Sequence, residues 1–276
     1  MTVDSHVHVI GDQARYPLQP TALAGDSWYR TSPVDAGSLA GPMDEAGVER
    51  AVLVQAVGAY SDDNSYALDA AAADPDRFAA VVMVDPRGPD PAAALRRCAE
   101  QGAAGVRLFA VRDHDGSVDA PAYRPLWDEA AARDMPVVVT VWTAQLAGVA
   151  AMAAAYPDLA VSIDHCAFPA FPAGLGPVLE LAALPNVSVK ATAHLFADAA
   201  DAGEQPADVL AALVSGYGAQ RVIWGSDFPQ TPAAAYRDVV DEGRRAAEAL
   251  STPEREWVLG GNARKLWWPV SRASPE

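Results

Sequence analysis

The sequence predicts an α/β fold: a single (β/α)8 TIM barrel with a C-terminal helical extension, one domain over residues 1–276. Two observations carry this. Short apolar runs recur without polar alternation, as strands buried on both faces read, and each is followed by an Ala-rich stretch of helical length. Nothing divides the chain, since it shows no internal repeat, linker or break in composition, and 276 residues suit a barrel of roughly 250. Eight such units favour a closed barrel over an open doubly wound sheet.

In order, residues 2–10 form the first strand, in which His6 and His8 lie two apart on one face with Asp4 beneath them. Residues 11–35 are irregular and carry Tyr16, Trp28 and Tyr29, reading either as a lid or as aromatics covering one barrel end. A short helix over 38–46, closed by Gly47, leads to the second strand at 51–57. Helices over 64–73, 91–101, 122–133 and 144–156 then alternate with strands over 79–84, 105–109, 136–142 and 159–164. A connection containing a helix over 177–183 leads to the strand at 187–190, and a helix over 206–217 leads to the strand at 221–225. The eighth helix spans 233–250. In the extension, Thr252 is placed as N-cap with Pro253 at the first helical position, the helix stops at Gly260-Gly261, and Asn262 caps a further turn. Trp257, Leu266, Trp267 and Trp268 are expected to pack on the barrel flank.

Composition narrows the function. With 20 basic and 36 acidic residues the net charge is -16, which repels phosphate backbones and anionic lipid and excludes nucleic-acid and membrane partners. Two cysteines, Cys98 and Cys166, are too few for a disulfide framework. The first residues lack a signal-peptide pattern, and no apolar run approaches the ~20 residues of a membrane span. A cytoplasmic protein acting on a small molecule is expected, with its oligomeric state open.

Catalytic groups of such a barrel sit at the C-terminal strand ends. All five histidines fall there: His6 and His8 on the first strand, His114 after the fourth, His165 ending the sixth and His194 after the seventh, with none expected on a helix. Burial or a neighbouring carboxylate recruits such groups for ligation and proton transfer. The eighth strand adds Asp227 within Gly225-Ser226-Asp227-Phe228-Pro229, suited to ligate a metal, to act as general base, or both. Asp164 is expected to fix the tautomer of His165. Arg107 and Lys190, charged residues inside apolar strands, need partners. Arg107 suits a bidentate grip on a substrate carboxylate and Lys190 a point charge on an oxygen, against an internal salt bridge with Asp4, Asp85 or Asp164. Trp142, Tyr60 and Phe109 are placed as pocket walls, with core packing as the other reading of Phe109, and His194 as a substrate contact.

The motifs Asp4-Ser5-His6-Val7-His8, Asp62-Asp63-Asn64-Ser65-Tyr66, Gly105-Val106-Arg107, Asp164-His165, Asn186-Val187-Ser188-Val189-Lys190, Trp224-Gly225-Ser226-Asp227-Phe228-Pro229 and Gly261-Asn262-Ala263 run in order along the chain. Together they resemble the amidohydrolase superfamily, in its amidohydrolase-related (amidohydrolase 2) branch of sugar lactonases, 2-pyrone-4,6-dicarboxylate lactonase and metal-dependent decarboxylases. The resemblance implies a hydrolase centred on His6, His8, His165 and Asp227. Members with two metals carry a fourth-strand lysine and a fifth-strand histidine, and both are absent from this sequence. What remains implies one Zn2+ or other divalent ion held by His6, His8, Asp227 and His165, or a metal-free site.

The expected activity is hydrolysis of a lactone or related cyclic ester of a small carboxylic or sugar acid. Asp227 activates water, the histidines stabilise the oxyanion and Arg107 orients the substrate. A metal-dependent nonoxidative decarboxylase of a small unsaturated or aromatic acid uses the same strand ends. A non-catalytic small-carboxylate binding protein is the third reading.

Overall fold

The computed structural model describes residues 1–20, 22, 27–112, 116–172, 174–230 and 235–269. His114, Pro232 and Ala233 lie outside them. Eight parallel strands follow one another in chain order: β1 (Thr2–Val7), β2 (Val48–Val54), β3 (Phe78–Met83), β4 (Ala103–Phe109), β5 (Val137–Thr140), β6 (Val161–Ile163), β7 (Val187–Thr192) and β8 (Val222–Gly225). Asp227 N–H donates to His6 O at 2.8 Å and His8 N–H to Phe228 O at 2.8 Å, bringing the chain beyond β8 back onto β1. The barrel is nearly closed, and the seam runs through the residues that carry the candidate chemistry.

The helices start where the sequence offers caps. Asp35 accepts from Ser38 N–H at 2.9 Å ahead of helix Ala36–Ala46, and Asp90 accepts from Ala93 N–H at 2.9 Å ahead of Pro91. Three placements in the extension are corrected. Ser251, not Thr252, is the N-cap, because its hydroxyl reaches Glu254 in a capping box. The helix does not stop at Gly260-Gly261 but continues through a wide turn, Trp257–Gly261, into Asn262–Trp267. Asn262 instead donates to Ala219 O and Val222 O, each at 2.7 Å, tying the extension to the start of β8.

Three apolar assemblies result among the described residues, the smallest being Ile10, Tyr29, Ala56, Ala59 and Tyr60. Outward strand residues such as Leu53, Leu108 and Trp224 join the helices in one core. Val52, Val54, Val81, Val138 and Ile223 fill the lower barrel interior together with Trp267, which rises from the extension. Trp267 therefore plugs the barrel bottom instead of covering its flank, and Gly105 leaves room for it, an added Cβ there lying 3.2 Å from Trp267 Nε1.

Gly225 is required by close approach. A Cβ there would lie 2.9 Å from both His6 Cβ and Ser5 Oγ, across the seam. Gly225→Ala is expected to cost about 1–3 kcal/mol through overpacking, read as a lower urea midpoint at unchanged slope. An unchanged midpoint would show that the seam yields freely.

Candidate active site

The four residues proposed as the reaction centre meet at the C-terminal end of the barrel. His6 is fully buried on β1, and His8 follows that strand. Asp227 follows β8 with a left-handed φ of 56°, a conformation that Asp tolerates and that turns its carboxylate back across the seam. His165 opens a run of left-handed residues, His165 to Phe168, just after β6. Such sparsely populated conformations persist when the surroundings over-determine them. Here His165 Nδ1 lies 2.8 Å from Thr192 Oγ1, and its ring packs 4.9 Å from those of both His6 and Phe168. Its orienting partner is Thr192, not Asp164.

The distances at the centre define what it can hold. His6 Nε2 and His8 Nε2 lie 3.3 Å apart, and Asp227 Oδ1 lies 3.5 Å from the former and 3.3 Å from the latter. His8 Nδ1 faces Val54 O at 2.8 Å. A carbonyl only accepts, so the proton sits on Nδ1 and the inward Nε2 of the neutral ring is bare. Asp227 Oδ1 is buried without a hydrogen-bond partner. A tetrahedral ion with bonds of about 2.0–2.2 Å separates its ligands by about 3.3–3.6 Å, which these three atoms match. His6, His165 and Asp227 also offer donor atoms within 4.8 Å of one another. The donor set fits one divalent cation.

Burial lowers His165 to about 4, against the pull of Asp227 and Asp164, so it is a neutral imidazole at ordinary pH. Burial also holds His6 well below the usual histidine range. Burial opposes ionisation of Asp227, but His165, His8 and His6 outweigh it and keep its carboxyl below the usual range. Asp4, beneath them, is pushed by burial up to about 6 although it accepts from Ser226 N–H at 2.9 Å and Tyr236 O–H at 3.0 Å.

A cavity of about 370 Å³ lies over this centre, lined by His8, His165, Arg107 and Thr140 and walled by Trp28, Phe109 and Phe168. Trp28 stacks on His8 with ring centroids 5.6 Å apart, so the long loop after β1 does reach the site. A larger groove of about 1080 Å³ between helices Ala36–Ala46 and Ser65–Ala73 carries no histidine, and volume alone does not mark the chemistry.

Several expected substrate contacts are placed elsewhere. Lys190 has no exposed surface: its Nζ lies 3.1 Å from Asp164 Oδ1 and 5.2 Å from the centre of the Trp267 ring, so the internal salt bridge replaces the substrate contact. Tyr60 is buried, its hydroxyl accepting from Gly11 N–H at 3.0 Å beneath the loop. Trp142 is 48% exposed on the rim, donating to Val111 O at 2.9 Å and packing 4.8 Å from Phe168. His194 stands in the first turn of helix Ala193–Asp201, correcting the expectation that no histidine is helical, with its ring 5.7 Å from His165. Thr140, Thr192 and Phe168 were missed as site residues. The first two end apolar strands on a hydroxyl, a signal available in the sequence. Other parts of the recognisable motifs hold the frame: Asn64 bonds both Met83 O and Met83 N–H, and Asn186 donates to Ala153 O, Tyr156 O and Leu159 O.

Residues 3–268 match the amidohydrolase family model. The chain belongs to the amidohydrolase family. This amidohydrolase is 31% identical over 283 residues to L-fucono-1,5-lactonase of Burkholderia ambifaria, spanning 95% of this chain and 93% of that one. It is 25% identical over 299 residues to 4-sulfomuconolactone hydrolase of Hydrogenophaga intermedia, spanning 98% and 90%. Among solved structures, an amidohydrolase from Burkholderia multivorans with bound zinc superposes with a TM-score of 0.76 at 26% identity, over 97% of this chain and 99% of the other. The chain is thus an enzyme of the hydrolase class, and no helix among its described residues is long and apolar enough to cross a membrane.

Proposed function

We propose that this amidohydrolase opens the ring ester of a small lactone of a carboxylic or sugar acid, with Asp227 as the group that activates water. One observation carries the reading: an ionised, buried carboxylate with an unpartnered oxygen faces two imidazoles, beside a cavity that also receives a guanidinium. The names of both relatives, an L-fucono-1,5-lactonase and a 4-sulfomuconolactone hydrolase, point the same way.

Asp227 takes a proton from water as its oxygen bonds to the lactone carbonyl carbon. The negative charge that develops on the carbonyl oxygen is met by neutral His165, while Arg107 orients the substrate through a hydroxyl or carboxylate. The ring C–O bond then breaks, and the departing alkoxide takes back the proton held on Asp227. One water is consumed and one hydroxy acid is released. His6, His8 and Asp227 would hold a single divalent ion, for which two imidazoles and a carboxylate suit zinc, and it would supply Lewis-acid polarisation at the reacting oxygen.

A panel of neutral and carboxylated lactones, assayed for acid release with and without zinc beside a metal analysis, tests this. The expected result is turnover of at least one lactone to its hydroxy acid. Carbon dioxide release from an unsaturated or aromatic acid without lactone opening would establish the decarboxylase instead. Tight binding of a carboxylate without turnover would establish a binding protein.

A further inference from the structure

Beneath the histidines lies a carboxylate that the proposed chemistry does not use. Asp164 is fully buried at the end of β6, and four groups from four other strands converge on it. Lys190 Nζ lies 3.1 Å and His6 Nδ1 3.3 Å from Oδ1, while Thr140 donates to Oδ2 at 2.7 Å and Arg107 Nε donates to Oδ2 at 3.1 Å. Arg107 Nε also donates to Thr140 Oγ1 at 2.7 Å. We propose that Asp164 is the positioning residue of the site: one carboxylate oxygen sets the tautomer of His6, the other sets the guanidinium of Arg107, and Lys190 is its buried counter-ion.

The two arms rest on separate geometry. Two groups contend for His6 Nδ1. The Lys190 ammonium, 3.5 Å away, requires a bare nitrogen there, and the Asp164 carboxylate, 3.3 Å away, requires a proton. The ammonium carries three protons and is satisfied by Asp164 at 3.1 Å whichever tautomer His6 adopts, whereas the carboxylate can only accept and is the nearer neighbour of Nδ1, so the imidazole proton is assigned to Nδ1. His6 Nε2 is then bare toward His8 and Asp227, the state in which it ligates a cation or accepts a proton. On the other arm, Asp164 and Thr140 share the Nε edge of Arg107, fixing the plane of the guanidinium where it lines the cavity. A single buried carboxylate thus couples the histidine wall to the substrate grip, and groups that orient a site's ligands in this way are typically worth 10–100-fold in affinity or activity.

Long-range 1H–15N correlation of the five histidines, assigned by single substitutions, reads the tautomer of His6 without any substrate. With and without added zinc, the wild-type protein is expected to show His6 protonated at Nδ1. Asp164→Asn is expected to shift that proton toward Nε2 and to lower kcat roughly 10–100-fold. Thr140→Val is expected to raise KM while leaving the His6 tautomer unchanged. The kinetic arms rest on the hydrolase reading, whereas the spectrum does not, so a failed substrate screen leaves the assignment of Asp164 testable. Wild-type His6 protonated at Nε2 would overturn the proposal, as would Asp164→Asn with an unchanged tautomer. If Asp164→Asn does not fold, the wild-type tautomer decides the first arm, and Thr140→Val with an unchanged KM overturns the second.

Discussion

Asp227→Asn is expected to lower kcat for lactone opening by roughly 10²–10⁴-fold, the contribution of a positioned general base. The substitution isolates the chemistry. Asn tolerates the left-handed φ of 56° as readily as Asp, and the backbone bond from residue 227 N–H to His6 O needs no side chain. The frame at the seam therefore survives. What is lost is the negative oxygen 3.3 Å from His8 Nε2, replaced by a neutral amide that cannot take a proton from water. The same variant weakens the ion site by removing its one anionic ligand, so titration with zinc should show the affinity falling in parallel. Steady-state rates on any substrate found in the screen measure the first effect, and retention of wild-type kcat would remove Asp227 from its proposed role.

Lys190→Met is expected to destabilise the fold by about 3–5 kcal/mol, because removing one member of a buried ion pair strands the other. Methionine has a comparable length, so little packing volume is lost. Asp164, in contrast, loses the cation 3.1 Å from Oδ1 and keeps Arg107 on Oδ2 alone. Burial drives the Asp164 carboxyl upward, and Lys190, His6 and Arg107 together bring it well below the usual range. Burial lowers Lys190 itself, against the pull of Asp164. Urea unfolding at neutral pH reads the effect as a lower midpoint. The double variant Lys190→Met with Asp164→Asn should recover part of the loss, since the fully buried carboxylate is no longer stranded and Arg107 keeps Thr140 Oγ1 and the cavity on its open side. A single variant within 1 kcal/mol of wild type would show that Arg107 alone compensates the carboxylate.

The strands were legible as short, largely apolar runs, although β1 and β7 carry polar and charged residues, and helix Leu146–Ala155, no less apolar, was told from a strand by its length. Their ends were less so: β2, expected at 51–57, occupies Val48–Val54, since Gln55 to Val57 leave the sheet to begin the turn at Val57–Tyr60. Convergence of His6, His8, His165 and Asp227 was also readable, because a barrel gathers its C-terminal strand ends whatever the details of register. Arg107 and Lys190 show the limit. Each is a lone cation in an apolar strand pointing into the barrel, and the pattern treats them alike. Their roles differ by depth, since Arg107 lines the cavity while Lys190 lies sealed between Asp164 and Trp267.

By itself, then, the sequence determined the barrel, its order of strands and the group of side chains at its mouth, because hydrophobic periodicity and strand order are local properties. Only the tertiary structure decided which interior layer each charged residue occupies. That follows from strand stagger and tilt around the nearly closed sheet, and from Trp267 arriving from the far end of the chain to fill the bottom. The same stagger brought Asp164 under His6 instead of beside His165, which is why its partners could be found only in space.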